Sequence, residues 1–268
     1  MTKKIVLFDM DVTLTPPRKE FDHDLLPALR ELSKISEIGI VTGSDHIYVT
    51  QQMRLLIENS EVRYKLHILP CNGTKYYPPP QSATHKHQLA SEENMRKQLG
   101  EFTFSTIMQY LLKRQSQLHL YDLPMTGHFV DYRGSMINWC PIGRNANDKD
   151  RQKFVSFDHK NTSLFREDEI VSFKKFLTRN NLIDVLNIKL GGETSFDISP
   201  RGWDKTFALN HFRDYDCWFV GDRCGINGND REIYNELKTN NRSFEVRDTK
   251  ETISLLYGEI IPRIANDR

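Results

Sequence analysis

The sequence predicts an α/β chain, a doubly wound parallel core into which an α+β block is inserted. Three observations carry that reading. The apolar runs Ile5-Val6-Leu7-Phe8, Ile38-Gly39-Ile40-Val41 and Cys217-Trp218-Phe219-Val220 are continuous rather than alternating, as expected of strands buried on both faces of a parallel sheet. Each run ends in a polar cluster, Asp9-Met10-Asp11, Thr42-Gly43-Ser44-Asp45 and Gly221-Asp222, and ligand sites of such sheets lie beyond the carboxyl ends of the strands. Between Tyr76-Tyr77-Pro78-Pro79-Pro80 and Pro200 the alternation of strand and helix gives way to a different pattern.

Taken in order, the pattern predicts a strand over 4–8, a helix over 22–34, a strand over 38–42, a helix over 45–57 and a strand over 66–70. Past the proline run, Gly100 to Arg114 reads as a helix with Phe104, Ile107, Met108, Leu111 and Leu112 on one face. Extended runs over 127–133 and 136–142 follow, with Gly134-Ser135 as their hairpin turn. The stretch Asn145 to Thr162 is polar and rich in Asn, Asp and Lys, and reads as a loop. A helix over about 167–180 and a strand over 185–190 complete an antiparallel sheet with helices on one face, an α+β cap. After Pro200 the core pattern resumes: helix 204–212 with Asp204 as its N-cap, strand 217–221, helix 230–237 and strand 243–246. The domains expected are therefore 1–84 and 194–268 as core and 85–193 as cap. Crossings near 81–88 and 190–201 would act as a hinge, and closure of such a cap excludes water from reactive intermediates.

Composition sets limits. The 268 residues suffice for one large or two modest domains. With 37 basic and 36 acidic side chains the formal net charge is +1, so no bulk field recruits nucleic acid or an anionic membrane. Local arginines must do any phosphate recognition. No apolar stretch approaches the ~20 residues of a membrane span, and Met1-Thr2-Lys3-Lys4 leads into the first strand without a signal-peptide core; a cytoplasmic protein is expected. Cys71, Cys140, Cys217 and Cys224 lack CxxC spacing and are expected to be free thiols.

The polar clusters suit phosphoryl transfer. One carboxylate of the Asp9/Asp11 pair can attack as nucleophile while the other moves protons. The charge gathered on an acyl phosphate needs a divalent metal and a cation. Asp222 and the Asp11 backbone could hold magnesium, a hard ion that takes few carboxylates. Lys205 would supply the cation, and the Thr42 hydroxyl would hydrogen-bond the transferring group. Singly, each residue has an ordinary structural reading, with Thr42 a turn former, Lys205 a solvated first-turn lysine and Asp222 a helix cap. Together, in this order, they point to one site.

These residues also carry a resemblance. Phe8-Asp9-Met10-Asp11-Val12-Thr13-Leu14-Thr15, Thr42, Lys205, and Gly221-Asp222 with Asn229-Asp230 resemble the motifs of the haloacid dehalogenase superfamily. Val41-Thr42-Gly43-Ser44-Asp45, Cys71-Asn72-Gly73, Met136-Ile137-Asn138-Trp139-Cys140-Pro141-Ile142-Gly143-Arg144, Gly191-Gly192-Glu193-Thr194-Ser195-Phe196-Asp197 and Gly202-Trp203-Asp204-Lys205 narrow it to the eukaryotic-type phosphomannomutases. The similarity spans nearly the whole chain. It implies a Rossmann-like haloacid dehalogenase core with an inserted α+β cap domain. It also implies interconversion of mannose 6-phosphate and mannose 1-phosphate through a hexose 1,6-bisphosphate, with Mg2+ at Asp9, Asp11 and Asp222 and with Asn229 and Asp230 as further candidates. Asp9 is then the nucleophile and Asp11 the general acid and base. Arg133 and Arg144 would bind the phosphate that is not reacting, since guanidinium forks match phosphate oxygens. Ser195 and Asp197, two apart on one strand face, would contact sugar hydroxyls, and Arg18 would be the substrate arginine of the core. A homodimer formed through the cap is implied as well.

Two positions depart from the family pattern. Val12 stands where the family has glycine, and Thr126 stands where it places another substrate arginine ahead of Gly127; weaker substrate affinity is expected, unless His128, two along on the same strand face, substitutes. Besides the mutase, a sugar-phosphate phosphatase with the same chemistry at Asp9 and a catalytically weakened sugar-phosphate-binding homologue stay open at this level.

Overall fold

The computed structural model describes residues 2–16, 19–118, 122–160, 165–226 and 228–266. Its strands in chain order are β1 (Lys3–Phe8), β2 (Glu37–Val41), β3 (Leu66–Leu69), β4 (Lys75–Tyr76), β5 (Ser91–Glu92), β6 (Val130–Tyr132), β7 (Ile137–Trp139), β8 (Leu186–Gly191), β9 (Ser195–Pro200), β10 (Tyr215–Gly221) and β11 (Ser243–Glu245). The chain divides into two compact units, Met1–Glu92 with Trp203–Arg268, and Glu93–Gly202.

The first unit is built on a parallel sheet in the order β11-β10-β1-β2-β3. Its central strands are buried on both faces, as their unbroken apolar runs require: Val6, Phe8, Ile38, Ile40, Trp218 and Val220 pack in one cluster. Ile5, Leu7, Val41, Cys217 and Phe219 pack in another. Sequence order runs outward from β1 in both directions, so the chain switches direction between β1 and β10, where an open α/β sheet leaves a crevice for ligand. The expected 45–57 helix occurs as two pieces, His46–Gln52 and Arg54–Glu58. The expected 204–212 helix is a 3-10 helix, Lys205–Phe212, capped by the Asp204 side chain on the Thr206 amide. Three consecutive helical segments, Thr249–Leu255, Leu256–Ile260 and Ile261–Asn266, follow β11, beyond the last element that the sequence pattern predicts.

The second unit carries the antiparallel sheet β6-β7-β9-β8. The Gly134-Ser135 turn joins β6 to β7, with the Arg133 amide donating to the Met136 carbonyl at 2.9 Å. Trp139 and Phe196 stack at 4.9 Å on one face. The Trp139 indole reaches Gln115 of the helix Glu101–Gln117, so that helix covers this face. Phe104, Ile107 and Leu111 of the helix are buried, but Leu112 is exposed rather than on the buried face.

The structure corrects the loop expected over 145–162. Asp148–Lys160 is a helix. Asn147 accepts from the Asp150 amide at its start, and Asp148 and Asp150 sit in the first turn, where negative charge favours a helix. Phe154 is buried against Phe165, and the Asp158 carboxylate takes the Arg166 side chain and amide at 2.7 and 2.9 Å. Residues 161–162 lie outside the described residues. The unit boundaries also fall later than the expected 84/85 and 193/194, because β5 pairs with β4 and β9 lies inside the second sheet.

Candidate active site

Asp9 follows β1 directly and extends its pairing, the Asp9 amide donating to the Val220 carbonyl at 2.9 Å. Asp222 follows β10. The β1 loop then folds back on itself, with the Leu14 and Thr15 amides both donating to the Met10 carbonyl. Val12 makes that reversal with φ of 68°, the left-handed conformation that suits glycine. Valine therefore takes up here a backbone conformation that glycine adopts without steric cost. Thr252 ties the loop down from the C-terminal helices by donating to the Thr13 carbonyl at 2.9 Å.

Lys205 is fully buried, its ammonium hydrogen-bonded to Asp9 and Asp230. The other Asp230 oxygen accepts the Arg223 amide at 3.0 Å. Asp230 therefore anchors the lysine, a pairing that no local sequence pattern marks. Gly221 makes this possible: a Cβ there would lie 2.6 Å from an Asp230 oxygen. Thr42, buried after β2, accepts the Ser44 amide on its hydroxyl at 3.1 Å.

The electrostatics are lopsided. Asp9, Asp222 and Asp230 bring carboxylate oxygens within 4.8 Å of one another against the Lys205 ammonium and the Arg223 guanidinium, 3.7 Å from Asp222, so the three carboxylates outnumber the two cations when all are ionised. Burial, opposed by the Lys205 cation and reinforced by Asp230 and Asp222, holds the Asp9 carboxyl well above the usual carboxylate range. Burial first, then the Asp230 charge, push Asp222 up to about 6. Burial disfavours the Lys205 cation too, but the Asp230 and Asp9 carboxylates outweigh it and its pKa is raised. Asp11 Oδ1 and Asn229 Oδ1 are buried acceptors without a hydrogen-bond partner. An all-oxygen donor set with excess negative charge and orphaned acceptors fits a hard divalent cation.

In the second unit, Arg133 donates to Asp131 at 2.9 Å and Arg144 lies 3.8 Å from the same carboxylate. Arg144 also donates to Asn138 at 2.8 Å, and Asn138 donates to Ser195 and Asp197 at 3.1 and 2.7 Å. The four predicted residues Arg133, Arg144, Ser195 and Asp197 are therefore linked through Asp131 and Asn138, two residues assigned no role from sequence. The alternation that placed Ser195 and Asp197 on one face applies equally to the strand of Asn138. Arg18 lies outside the described residues. The expectation for His128 is corrected: β6 begins only at Val130, and His128, with φ of 54°, lies half-exposed 3.6 Å from Asp131. Thr126 donates to the Ile142 carbonyl at 2.8 Å. All four cysteines are free and buried.

A parallel core with an aspartate after its first strand, a lysine on that aspartate and further carboxylates after the strand across the switch point defines the haloacid dehalogenase class. The chain belongs to the eukaryotic phosphomannomutase family, whose model matches residues 25–259. It is 32% identical over 252 residues to the phosphomannomutase of Dendrobium officinale, covering 88% of this chain and 86% of that protein. To that of Schizosaccharomyces pombe it is 33% identical over 267 residues, covering 95% and 93%. Among solved structures, IMP-bound, N-terminally truncated Plasmodium falciparum IMP-nucleotidase is similar with a TM-score of 0.62 at 14% identity, over 98% of this chain and 68% of that one. A trehalose-6-phosphate phosphatase related protein matches with a TM-score of 0.53 at 14% identity, over 99% and 100%. At that identity the structural likeness concerns the fold alone.

Proposed function

We propose that the chain is a phosphomannomutase, an isomerase that interconverts mannose 6-phosphate and mannose 1-phosphate through an aspartyl phosphate and a hexose 1,6-bisphosphate activator. The observation that supports it is the buried Asp9–Lys205–Asp230 chain beside Asp222, in a member of this family. An Asp9 oxygen attacks a phosphorus of the bisphosphate, the phosphorus–oxygen ester bond breaks, and Asp11 gives its proton to the departing sugar oxygen. In the return step Asp11 takes the proton of the attacking sugar hydroxyl while the phosphorus–Asp9 bond breaks. Lys205 favours the ionised form of Asp9 against its burial and holds it in place, and Thr42 hydrogen-bonds the transferring group. Asp9, Asp222 and the Asp11 backbone would hold Mg2+, with the orphaned Asn229 oxygen a further candidate ligand, and the ion would neutralise phosphoryl charge. Asp230, already committed to Lys205 and the Arg223 amide, serves the site by holding the lysine.

Arg133 and Arg144 grip the phosphate that is not reacting, and Ser195 and Asp197 contact the sugar. A grip that reads mainly phosphate accepts either end of the bisphosphate. Arg18 is proposed as the core's substrate arginine. The product would feed GDP-mannose synthesis and protein glycosylation in the cytoplasm. Among the described residues, no helix is long and apolar enough to cross a membrane. A homodimer through the cap is proposed; exposed Phe102 and Leu112 on the helix Glu101–Gln117 support an apolar contact there.

The test is to incubate the protein with Mg2+ and labelled hexose 1,6-bisphosphate, quench in acid, and map the label by mass spectrometry. Label on Asp9, absent in Asp9→Asn, supports the reading. Binding without label would make the chain a sugar-phosphate-binding homologue.

A further inference from the structure

The register of the cap sheet places Asp131, Asn138, Asp197 and Lys189 in one row across its four strands. Paired residues share a face, so this polar row stands opposite the one formed by Trp139 and Phe196. Asn138 is the buried member at its centre, 3% exposed. Its side-chain amide is spoken for at both ends. The carbonyl oxygen accepts from Arg144 Nη1 at 2.8 Å. The nitrogen donates to Asp197 Oδ1 at 2.7 Å, to Ser195 Oγ at 3.1 Å and to the Phe196 carbonyl at 3.3 Å. Ser195 spends its own proton on the Gly191 carbonyl, so its oxygen is left to accept.

This pattern has one orientation. A flipped amide would put a donor against the Arg144 guanidinium and an acceptor against the Asp197 carboxylate, opposing like with like at both ends. An aspartate at 138 would keep the acceptor for Arg144 but set a carboxylate against Asp197. A leucine of similar size would serve neither neighbour. Arg144 already stands 3.8 Å from the Asp131 carboxylate, so a neutral partner at its Nη1 adds no further carboxylate to the guanidinium, whereas each added carboxylate would compete with substrate phosphate for it.

We propose that Asn138 is the positioning residue of the cap site, a neutral bridge that fixes the Arg144 guanidinium and Ser195 without adding a carboxylate to the arginine, so that the guanidinium keeps the orientation in which it meets substrate phosphate. The inference rests on the mutase reading, in which Arg144, Ser195 and Asp197 bind the sugar phosphate. Asn138 itself does no chemistry at Asp9.

The test compares wild type, Asn138→Leu, Asn138→Asp, Arg144→Ala and the Asn138→Leu/Arg144→Ala double variant, using mannose 1-phosphate with glucose 1,6-bisphosphate and Mg2+. Hydrolysis of p-nitrophenyl phosphate, a small ester that needs only the core chemistry, is followed alongside. Loss of one charge-assisted contact predicts a KM about 10-fold higher in each Asn138 variant. The turnover number and the hydrolysis of the small ester should stay near wild type. In the double variant the Asn138 change should add almost nothing to the effect of Arg144→Ala. Asn138→Asp preserves side-chain volume, so it carries the test if Asn138→Leu fails to fold. An active wild type whose Asn138 variants keep its KM overturns this inference alone, and so do strictly additive effects, which would mean a merely structural asparagine. A wild type that neither binds nor isomerises hexose phosphates overturns the mutase reading and this inference with it.

Discussion

Val12 holds a left-handed φ of 68° in the loop between Asp9 and Thr15, a conformation costly for a β-branched residue. Replacing it by glycine would release ~1–3 kcal/mol of strain. The same change loosens the unfolded chain at a cost of ~0.4–1 kcal/mol, so strain relief wins. Val12→Gly is predicted to stabilise the fold by about 1 kcal/mol, measured by urea unfolding; a less stable variant would show that the loop's anchors, not its dihedral, set the balance. Lys205 presents the opposite case. Buried between Asp9 and Asp230, it cannot be removed without leaving two carboxylates uncompensated, and Lys205→Met should cost ~3–5 kcal/mol of stability. Asp222 gives the site a pH dependence. Its carboxyl titrates at about 6 in the fold against 3.8 for an ordinary aspartate. With no cation bound, its burial cost is present in full above pH 6 and is relieved as pH falls from 6 towards 3.8, because there the folded state takes a proton that the unfolded state does not. Cation binding has the reverse preference, since only the carboxylate is a ligand. Mg2+ affinity measured by calorimetry should therefore be about 10-fold weaker at pH 5 than at pH 7.5, and equal affinities would remove Asp222 from the cation's ligands. Asp9, Asp11, Thr42 and Asp222 were legible because each follows a recognisable apolar strand. Asp230 as the anchor of Lys205 was not, because a contact between residues 25 apart leaves no local pattern.

Among the elements, the helix Asp148–Lys160 shows what compositional reading misses. The stretch is polar enough to pass for a loop, yet Phe154 and Phe157 stand at helical spacing with Asp158 and all meet the start of the next helix at Phe165 and Arg166. Two aromatic anchors and a buried ion pair suffice to order a helix whose remaining surface is solvated. Phe154→Ala should cost ~3–5 kcal/mol in the cap unit, seen as a lower thermal midpoint, whereas an unchanged midpoint would mean that the helix is peripheral. The core strands, by contrast, were readable nearly to the residue, because a strand buried on both faces leaves no room for polar interruption. The β6–β7 hairpin was legible through Gly134-Ser135, but its strands are shorter than the extended runs expected over 127–133 and 136–142. Gly127 and His128, both at positive φ, break the ladder before Val130.

For the whole molecule, the parallel sheet, its direction switch beside β1 and the separate antiparallel sheet follow from sequence patterns that alternate, stop and resume around the proline run and Pro200. What sequence could not place was the exact membership of the segments between the units, since short pairings such as β4 with β5 decide it. The same logic applies to function. The chemistry at Asp9 is common to mutases and phosphatases, so the outcome depends on whether sugar hydroxyl or water receives the phosphoryl group. The most direct measurement follows mannose 1-phosphate in a coupled isomerase assay with Mg2+, with and without glucose 1,6-bisphosphate, while free phosphate is recorded in parallel. Bisphosphate-dependent formation of mannose 6-phosphate with little phosphate release, lost in Asp9→Asn, is the predicted result; phosphate release without isomerisation, or no turnover of either kind, would contradict it.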